Sequence, residues 1–366
     1  MSPEPRVERT ASALGQQGHE VEVLAWDRSC NHAKIDTLSN YRIRRIGLKA
    51  PYGKPIVMFF ILLWNLREFV YLLKSRFDVI HACDLDTLIP AMIAAKIRGG
   101  RLVYDCFDFY SDCLPGDIPR FMRRLMARFE TKLANKADLV IIVDEFRRSQ
   151  FSDRLINAVV ICNSPSEDLS PIIRDSVSNV TRVANNGLEI FYAGLLDKSR
   201  GFGQIIRATE NELGISIIIA GFGRDEQDLI DLFSNAKNIK FLGKISHEEV
   251  LQRTMHSDVL IALYDPKIPN HRYSCPNKLF EAMMCSKPII VSDSTLMADI
   301  VKRENCGIAI PYDDVQRLRE SVVRLREDAG LRFTLGKNGR EAYMRAYSWK
   351  EMENRLANAY RGLKSR

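Results

Sequence analysis

The chain has 366 residues, 46% of them apolar and 27% charged, with a net charge of +7. At roughly 150 residues per domain this length suggests two domains with real cores, and the composition excludes a mainly disordered chain. The charge excess lies mostly in residues 1–165; it is too mild for a dedicated nucleic-acid binder but fits a surface that meets phosphates or anionic lipid.

The eight cysteines contain no CxxC pair, so a zinc ribbon or a thioredoxin motif is not supported. Cys83 and Cys162 sit in apolar runs as inert thiols would, and no signal-peptide pattern is seen, which favours a reducing, cytoplasmic setting. The most apolar run, Ile56 to Trp64, is far shorter than the roughly 20 residues a membrane span needs.

The opening Ser2 to Arg9 reads as a loop and helix start, and the helix runs to about Gln17 before Gly18. Strands are expected at Val21–Trp26, Tyr41–Ile46, Val79–Cys83, Arg101–Tyr104, Leu139–Val143 and Val159–Cys162. Helices are expected between them at Ile56–Lys74, Thr87–Arg98, Ile118–Lys136 and Glu145–Arg154. Residues 166–187, rich in Ser, Pro, Asn and Asp, read as a linker. The alternation then restarts with strands at Leu188–Tyr192, Ser216–Ala220, Ile239–Leu242, Val259–Leu263, Pro288–Val291 and Gly307–Ile310. Helices follow most of them, and about Leu331–Ala346 and Ser348–Leu363 close the chain. The pattern is α/β: two Rossmann-like domains, 1–165 and 188–346, each a parallel sheet with helices on both faces, and a last helix, 347–366. A domain of this kind normally begins with a strand that becomes central in its sheet. None precedes the first helix, so a gap is expected in the core of the first domain, and with it a natural protein that begins upstream of Met1 or a marginally stable fragment.

Six constellations carry candidate chemistry. The turn Ala193 to Gly201 contains Gly194, Lys198 and Arg200, and a strand-to-helix turn directs N–H groups toward an anion; the bland alternative is solvated loop charge. Gly221-Phe222-Gly223 is a fragment of a dinucleotide fingerprint, though Gly-x-Gly often makes only a tight turn. Tyr273 and Ser274 lead into Pro276, Asn277, Lys278 and Glu281, where a helix start would hold a diphosphate beside Lys278 and Glu281 would accept ribose hydroxyls; the alternative is a plain amphipathic helix. Asp84-x-Asp86 admits a metal site, but a helix cap by Asp86 or Thr87 is more economical, and His81 either faces the crevice or fills the core. Asp105 and Asp108 follow a strand's carboxyl end, where ligands bind parallel sheets. Finally, Arg120, Arg124, Arg128, Lys132 and Lys136 recur every four residues, with Arg123 besides, against the stripe Ile118, Phe121, Met122, Leu125, Phe129 and Leu133. Such a basic amphipathic helix lies on anionic membrane or packs its apolar stripe into a core.

In this order and spacing the motifs resemble the retaining glycosyltransferases of family four, with the GT-B architecture, over essentially the whole chain. Pro5-Arg6-Val7-x-Arg9 with Gly18-His19-Glu20-Val21 resembles that family's first helix and second strand. His81-x-x-Asp84-Leu85-Asp86-Thr87 with Val103-Tyr104-Asp105, and Pro276 to Met283 with Lys287-Pro288-Ile289-Ile290, resemble its donor segments. Tyr347-Ser348-Trp349 and the final helix resemble the segment that crosses back onto the first domain. The resemblance implies transfer of a sugar, with retention, from a UDP-linked or similar nucleotide sugar to a glycan or lipid-linked hydroxyl in cell-surface polysaccharide or glycolipid synthesis. It implies Lys198, Arg200, Asp108 and His81 as catalytic, and Glu281, Lys278, Asn277, Gly194, Gly221, Gly223, Tyr273 and Ser274 as donor-binding, with no metal or other cofactor required. Arg120, Arg123, Arg124, Arg128 and Lys132 would meet the inner face of a membrane; no nucleic-acid partner is expected. Tyr273, Leu195 and Phe107 depart from the family pattern, where a glutamate, an arginine and often a histidine stand. They keep two alternatives open: a non-catalytic binding module and a nucleotide-sugar epimerase.

Overall fold

The computed structural model describes residues 4–51, 56–114, 118–151, 154–166 and 187–363. The chain divides into two compact units, Met1–Cys162 together with Met352–Arg366, and Asn163–Glu351. The expected linker lies outside the described residues except for its two ends.

The first unit begins with helix α1, Pro5–Gln16, whose first turn is fixed by Pro5 and by the Glu4 carboxylate accepting the Arg6 N–H at 3.0 Å. Strands β1 (Glu22–Asp27) and β3 (Arg42–Gly47) pair in parallel, and the short β2 (Ile35–Thr37), not foreseen from the sequence, adds an antiparallel edge to β3. Helix α2 (Val57–Lys74) leads to a second sheet of parallel strands. It contains β4 (Val79–Cys83), β5 (Arg101–Cys106), β6 (Leu139–Ile142) and β7 (Ala158–Val160) in that order. Helix α3 (Leu85–Arg98) joins β4 to β5, and the short α4 (Tyr110–Cys113) and longer α5 (Arg120–Ala134) join β5 to β6. Right-handed crossovers place α3 and α5 on one face of this sheet, where α3 packs on α2 and touches α5. In place of the helix expected at Glu145–Arg154, a 3-10 turn spans Glu145–Gln150, started by Asp144 accepting the Phe146 N–H at 2.8 Å.

The gap expected in this unit's core is present. Strands β1 and β4 belong to different sheets, and a cavity of about 710 Å³ separates them. Val21, Val23 and Ala25 line one side and Val79, Ile80 and His81 the other, with α1 and α2 contributing Leu14 and Glu68. Every residue of β1 except Asp27 is therefore only half-buried.

In the second unit the described strands form one parallel sheet. They are β8 (Leu188–Leu195), β9 (Ile215–Phe222), β10 (Ile239–Phe241), β11 (Val259–Ala262), β12 (Ile289–Ser292) and β13 (Gly307–Ile310). Their order, β10-β9-β8-β11-β12-β13, reverses direction at β8 and β11, the doubly wound arrangement whose ligands sit beyond the strands' carboxyl ends at the reversal. The crossover helices are α6 (Phe202–Thr209), α7 (Glu226–Ser234), α8 (His247–His256), α9 (Pro269–Tyr273), α10 (Asn277–Met284) and α11 (Leu296–Glu304). They are followed by α12 (Val315–Glu327) and α13 (Ala329–Ala342). β-Branched runs such as Ile215 to Ile219 and Ile289 to Val291 suit strands covered on both faces, and Ile190, Ile217, Ile261 and Ile290 are buried to the centre of the core. The last helix, α14 (Trp349–Arg361), carries the chain into the first unit. There the Cys162 N–H donates to the Met352 sulfur at 3.0 Å.

Candidate active site

In the second unit the reversal point is lined by the turn after β8, the residues after β11, and the start of α10. Gly194 and Gly221 lie side by side in the β8–β9 register, both with positive φ, and a Cβ on Gly221 would fall 1.9 Å from the Gly194 carbonyl oxygen. A Cβ on Gly223 would fall 2.2 Å from the Leu196 carbonyl oxygen. Gly221 and Gly223 thus let two strand ends pack backbone against backbone. Gly194 serves differently: a Cβ there would lie 3.0 Å from the Lys278 ammonium, so its absence leaves room for that charge.

Lys278, in the first turn of α10, is buried. Its ammonium lies 3.8 Å from the Tyr192 ring centroid and 5.6 Å from that of Tyr264, with no hydrogen-bond partner among the described residues. Burial, and then the nearby Arg200 charge, hold its pKa well below the usual lysine range, against the opposing pull of Glu281. The Arg200 guanidinium stacks 3.7 Å from the Tyr264 ring centroid, and its Nε and Nη1 are buried without partners. Two cations held by aromatic faces, with unused donors, form a site suited to an anion. The Asn277 Oδ1 beside them is likewise buried and unpartnered.

Glu281, one turn beyond Lys278, is buried, with Oε1 3.7 Å from His247 Nδ1. His271 was not among the sequence candidates. It packs on Tyr264 at 5.3 Å, and burial, followed by the charge of Arg200, lowers its pKa to about 4. Ser274 donates to the Asn270 carbonyl at 2.7 Å, and Tyr273 is half-buried at the end of α9. Lys198 stands apart: its ammonium pairs with Asp228 at 2.6 Å on the surface, so of the two cations proposed for this turn only Arg200 joins Lys278.

A second polar group lies within the first unit. His81 bridges Tyr360 Oη at 2.7 Å and Asp105 Oδ2 at 3.4 Å. Asp105 is gripped by Arg6, which donates from Nε at 3.2 Å and Nη2 at 2.8 Å, and also from Nη1 to the Ile161 carbonyl. Burial raises the Asp105 pKa, but Arg6 and His81 together outweigh it and the net shift is downward. Arg6 was not foreseen in this role. Asp108 is half-exposed and paired with Arg147 at 3.2 Å. Asp84 occupies the N-cap position of α3, so neither Asp86 nor Thr87 caps that helix. With a positive φ of 61°, Asp84 accepts the Phe107 N–H at 2.8 Å, and burial pushes its pKa up to about 8. Among the described residues no cluster of His, Cys, Asp and Glu is arranged to hold a metal ion, and Asp84-x-Asp86 forms none.

On α5, Arg120, Arg124, Arg128 and Lys132 are exposed. Arg123 is a correction to the membrane-facing set: it turns inward and donates to the carbonyls of Ser111, Leu114 and Ile118. No helix among the described residues is long and apolar enough to cross a membrane.

A doubly wound sheet with two cations at its reversal point, in a chain that carries a further α/β unit, defines the GT-B class of glycosyltransferases. The chain belongs to the group 1 glycosyltransferases: residues 3–164 match the glycosyl transferase 4-like domain and residues 174–342 match glycosyl transferases group 1. It is 23% identical to an uncharacterized glycosyltransferase of Methanocaldococcus jannaschii, over 59% of this chain and 56% of that protein. It is 22% identical to phosphatidyl-myo-inositol mannosyltransferase of Mycobacterium leprae, over 79% and 75%. The match to the former thus spans little more than half of that protein's length. Its fold is shared with sucrose-phosphate synthase from Thermosynechococcus elongatus (TM-score 0.80, 17% identity, 98% of this chain and 92% of that one). It is also shared with Anabaena HepE in complex with UDP-glucose (TM-score 0.64, 19% identity, 87% and 86%).

Proposed function

We propose that the chain transfers a sugar with retention from a UDP-linked donor to a glycan or lipid-linked hydroxyl, in cell-surface polysaccharide or glycolipid synthesis at the cytoplasmic side of a membrane. The observation that carries this reading is the pair of buried Lys278 and half-buried Arg200, two cations whose buried donor atoms are unsatisfied at the sheet's reversal point. The hard step is departure of the nucleoside diphosphate, whose leaving oxygen gains negative charge. Fixed cations aimed at that charge stabilise it more in the transition state than in the ground state, which is what accelerates a reaction. Gly194 gives the phosphates access to Lys278, and Glu281 accepts ribose hydroxyls one turn away. His81 and Asp108, in the first unit, serve the acceptor. The exposed arginines of α5 meet anionic headgroups. Two relatives support the setting: the phosphatidyl-myo-inositol mannosyltransferase, and the capsular polysaccharide biosynthesis glycosyltransferase CapM of Staphylococcus aureus.

Calorimetry with UDP tests the site. Because a carboxylate hydrogen bond contributes about 1.5–3 kcal/mol, Glu281→Ala is expected to weaken binding at least about tenfold; an unchanged affinity removes Glu281 from the site. Arg200→Met is expected to lower kcat by about 10²–10³ with a smaller change in KM, as for other donors aimed at developing charge. Anomeric analysis of the product by NMR checks retention. UDP binding without transfer or donor hydrolysis would point instead to a binding module, and epimer formation without acceptor to an epimerase.

A further inference from the structure

The membrane reading above rests on α5 alone, but the exposed apolar surface of the first unit is wider. On α2, Phe59, Leu62, Leu66 and Val70 are exposed at steps of three and four residues, so they form one outward stripe. On α3, Ile89, Ile93 and Ile97 repeat every four residues and are also exposed. On α5, Leu133 joins the core, but Phe121, Met122, Leu125 and Phe129 of its stripe point outward, Phe121 at 70% and Leu125 at 66% exposure. The three helices are neighbours on one face of the unit, with α3 in the middle. Contiguous apolar surface of this kind on a soluble domain marks an interaction site.

The charges choose the occupant. On these helices Arg67, Lys74, Lys96 and Arg98 are exposed alongside the α5 arginines, whereas Glu68 and Glu130 are buried and Asp86 is the one exposed acid among the described residues. Apolar stripes flanked by cations and nearly free of carboxylates complement a bilayer with anionic headgroups, where the aliphatic stems reach the acyl boundary and the charges stay with the phosphates.

We propose that the first unit docks on an anionic bilayer by inserting the outward stripes of α2 and α3 between the headgroups, with α5 as the electrostatic rim. The inference extends the membrane part of the proposed function, and its test is independent of catalysis. Purified chain is floated with phosphatidylcholine vesicles containing or lacking phosphatidylglycerol, at about 0.1 M and about 1 M salt, where the Debye length falls from about 10 to about 3 Å. Binding is expected to need phosphatidylglycerol at low salt for capture, and to retain a salt-resistant part once formed. L62S/L66S and I93S/I97S are each expected to remove that part, lowering binding about tenfold or more, while L213S, at a still more exposed leucine in the second unit, leaves it unchanged. A tryptophan at position 66 (Leu66→Trp) is expected to be quenched by brominated acyl chains.

Complete loss of binding at high salt, or no quenching, overturns the insertion and leaves only headgroup attraction. A concentration-dependent dimer broken by the same serine substitutions, without vesicle binding, overturns it in favour of a protein interface. UDP calorimetry on the same variants separates the two readings. Vesicle binding without UDP binding would sink the glycosyltransferase site and not the docking face, and the reverse result would sink the docking face alone.

Discussion

Lys278 shows how one buried side chain can report on ligand. Its ammonium is desolvated and faces Arg200, so its pKa lies well below the normal value. A diphosphate placed between the two cations reverses the local field and raises that pKa. Binding must therefore take up a proton wherever free Lys278 is partly neutral. Calorimetry at about pH 8 in buffers of different ionisation enthalpy is expected to show uptake on UDP binding, with affinity falling as pH rises. Lys278→Met should abolish the uptake as well as weaken binding; uptake persisting in that variant would assign the proton elsewhere. At this scale the sequence was partly legible. Lys278, Arg200 and Glu281 stand in a recognisable spacing, but nothing local distinguishes Arg200 from Lys198. What separates them is Tyr264, distant in sequence, which receives one and not the other. Arg6 and His271 were missed for the same reason, since Asp105 and Tyr264 come near only in the fold.

At the scale of elements, α5 carries a contrast between neighbours. Arg123 and Arg124 are adjacent in sequence, yet Arg123 holds three carbonyls around the α4–α5 connection while Arg124 is exposed. Arg123→Ala is expected to cost about 1–3 kcal/mol in chemical denaturation, because those acceptors lose charged donors, and to act on vesicle binding only through that loss. Arg124→Ala is expected to leave stability within about 0.5 kcal/mol and to reduce capture by anionic vesicles. Equal stability losses would contradict this division. The alternation of strands and helices was readable because each buried strand is a short β-branched run between helix-period segments. β2, α9 and the 3-10 turn at Glu145 were not, being three to six residues long. Segments that short carry too few positions to establish a period, and tertiary contacts decide them. The apolar stripe of α5 was read correctly as a stripe, but periodicity cannot say whether a stripe faces core or solvent.

At the scale of the molecule, the two units have opposite electrostatic economies. In the first unit, burial raises the pKa of Glu68 to about 9, of Asp84 to about 8 and of Glu130 to about 7. Each binds its proton more tightly folded than unfolded, so stability is fully present below the unfolded value near 4 and is lost as pH rises toward the folded value. Asp105 acts the other way, but only in the acid range below its ordinary pKa. In the second unit, burial lowers Lys278 and brings His271 to about 4. Both release protons on folding, so this unit gains stability as pH rises from about 4 and loses it in acid.

The cavity between β1 and β4 bears on the same comparison, because among the described residues it leaves one sheet edge on each side without strand contacts in the first unit, while the described strands of the second unit form one continuous sheet. Differential scanning calorimetry is therefore expected to resolve two transitions. The lower belongs to the first unit and moves down as pH is raised from about 5 to about 8; the upper holds or rises. Glu68→Gln should flatten the lower transition's pH dependence, since up to about 1.4 kcal/mol per pH unit is carried by each such group within its window. Saturating UDP, at about 100 times its dissociation constant, adds about 2.7 kcal/mol to the second unit and should displace the upper transition alone. A single transition that moves as one with both pH and UDP would show instead that the units unfold together, and that the cavity leaves the first unit no weaker than the second.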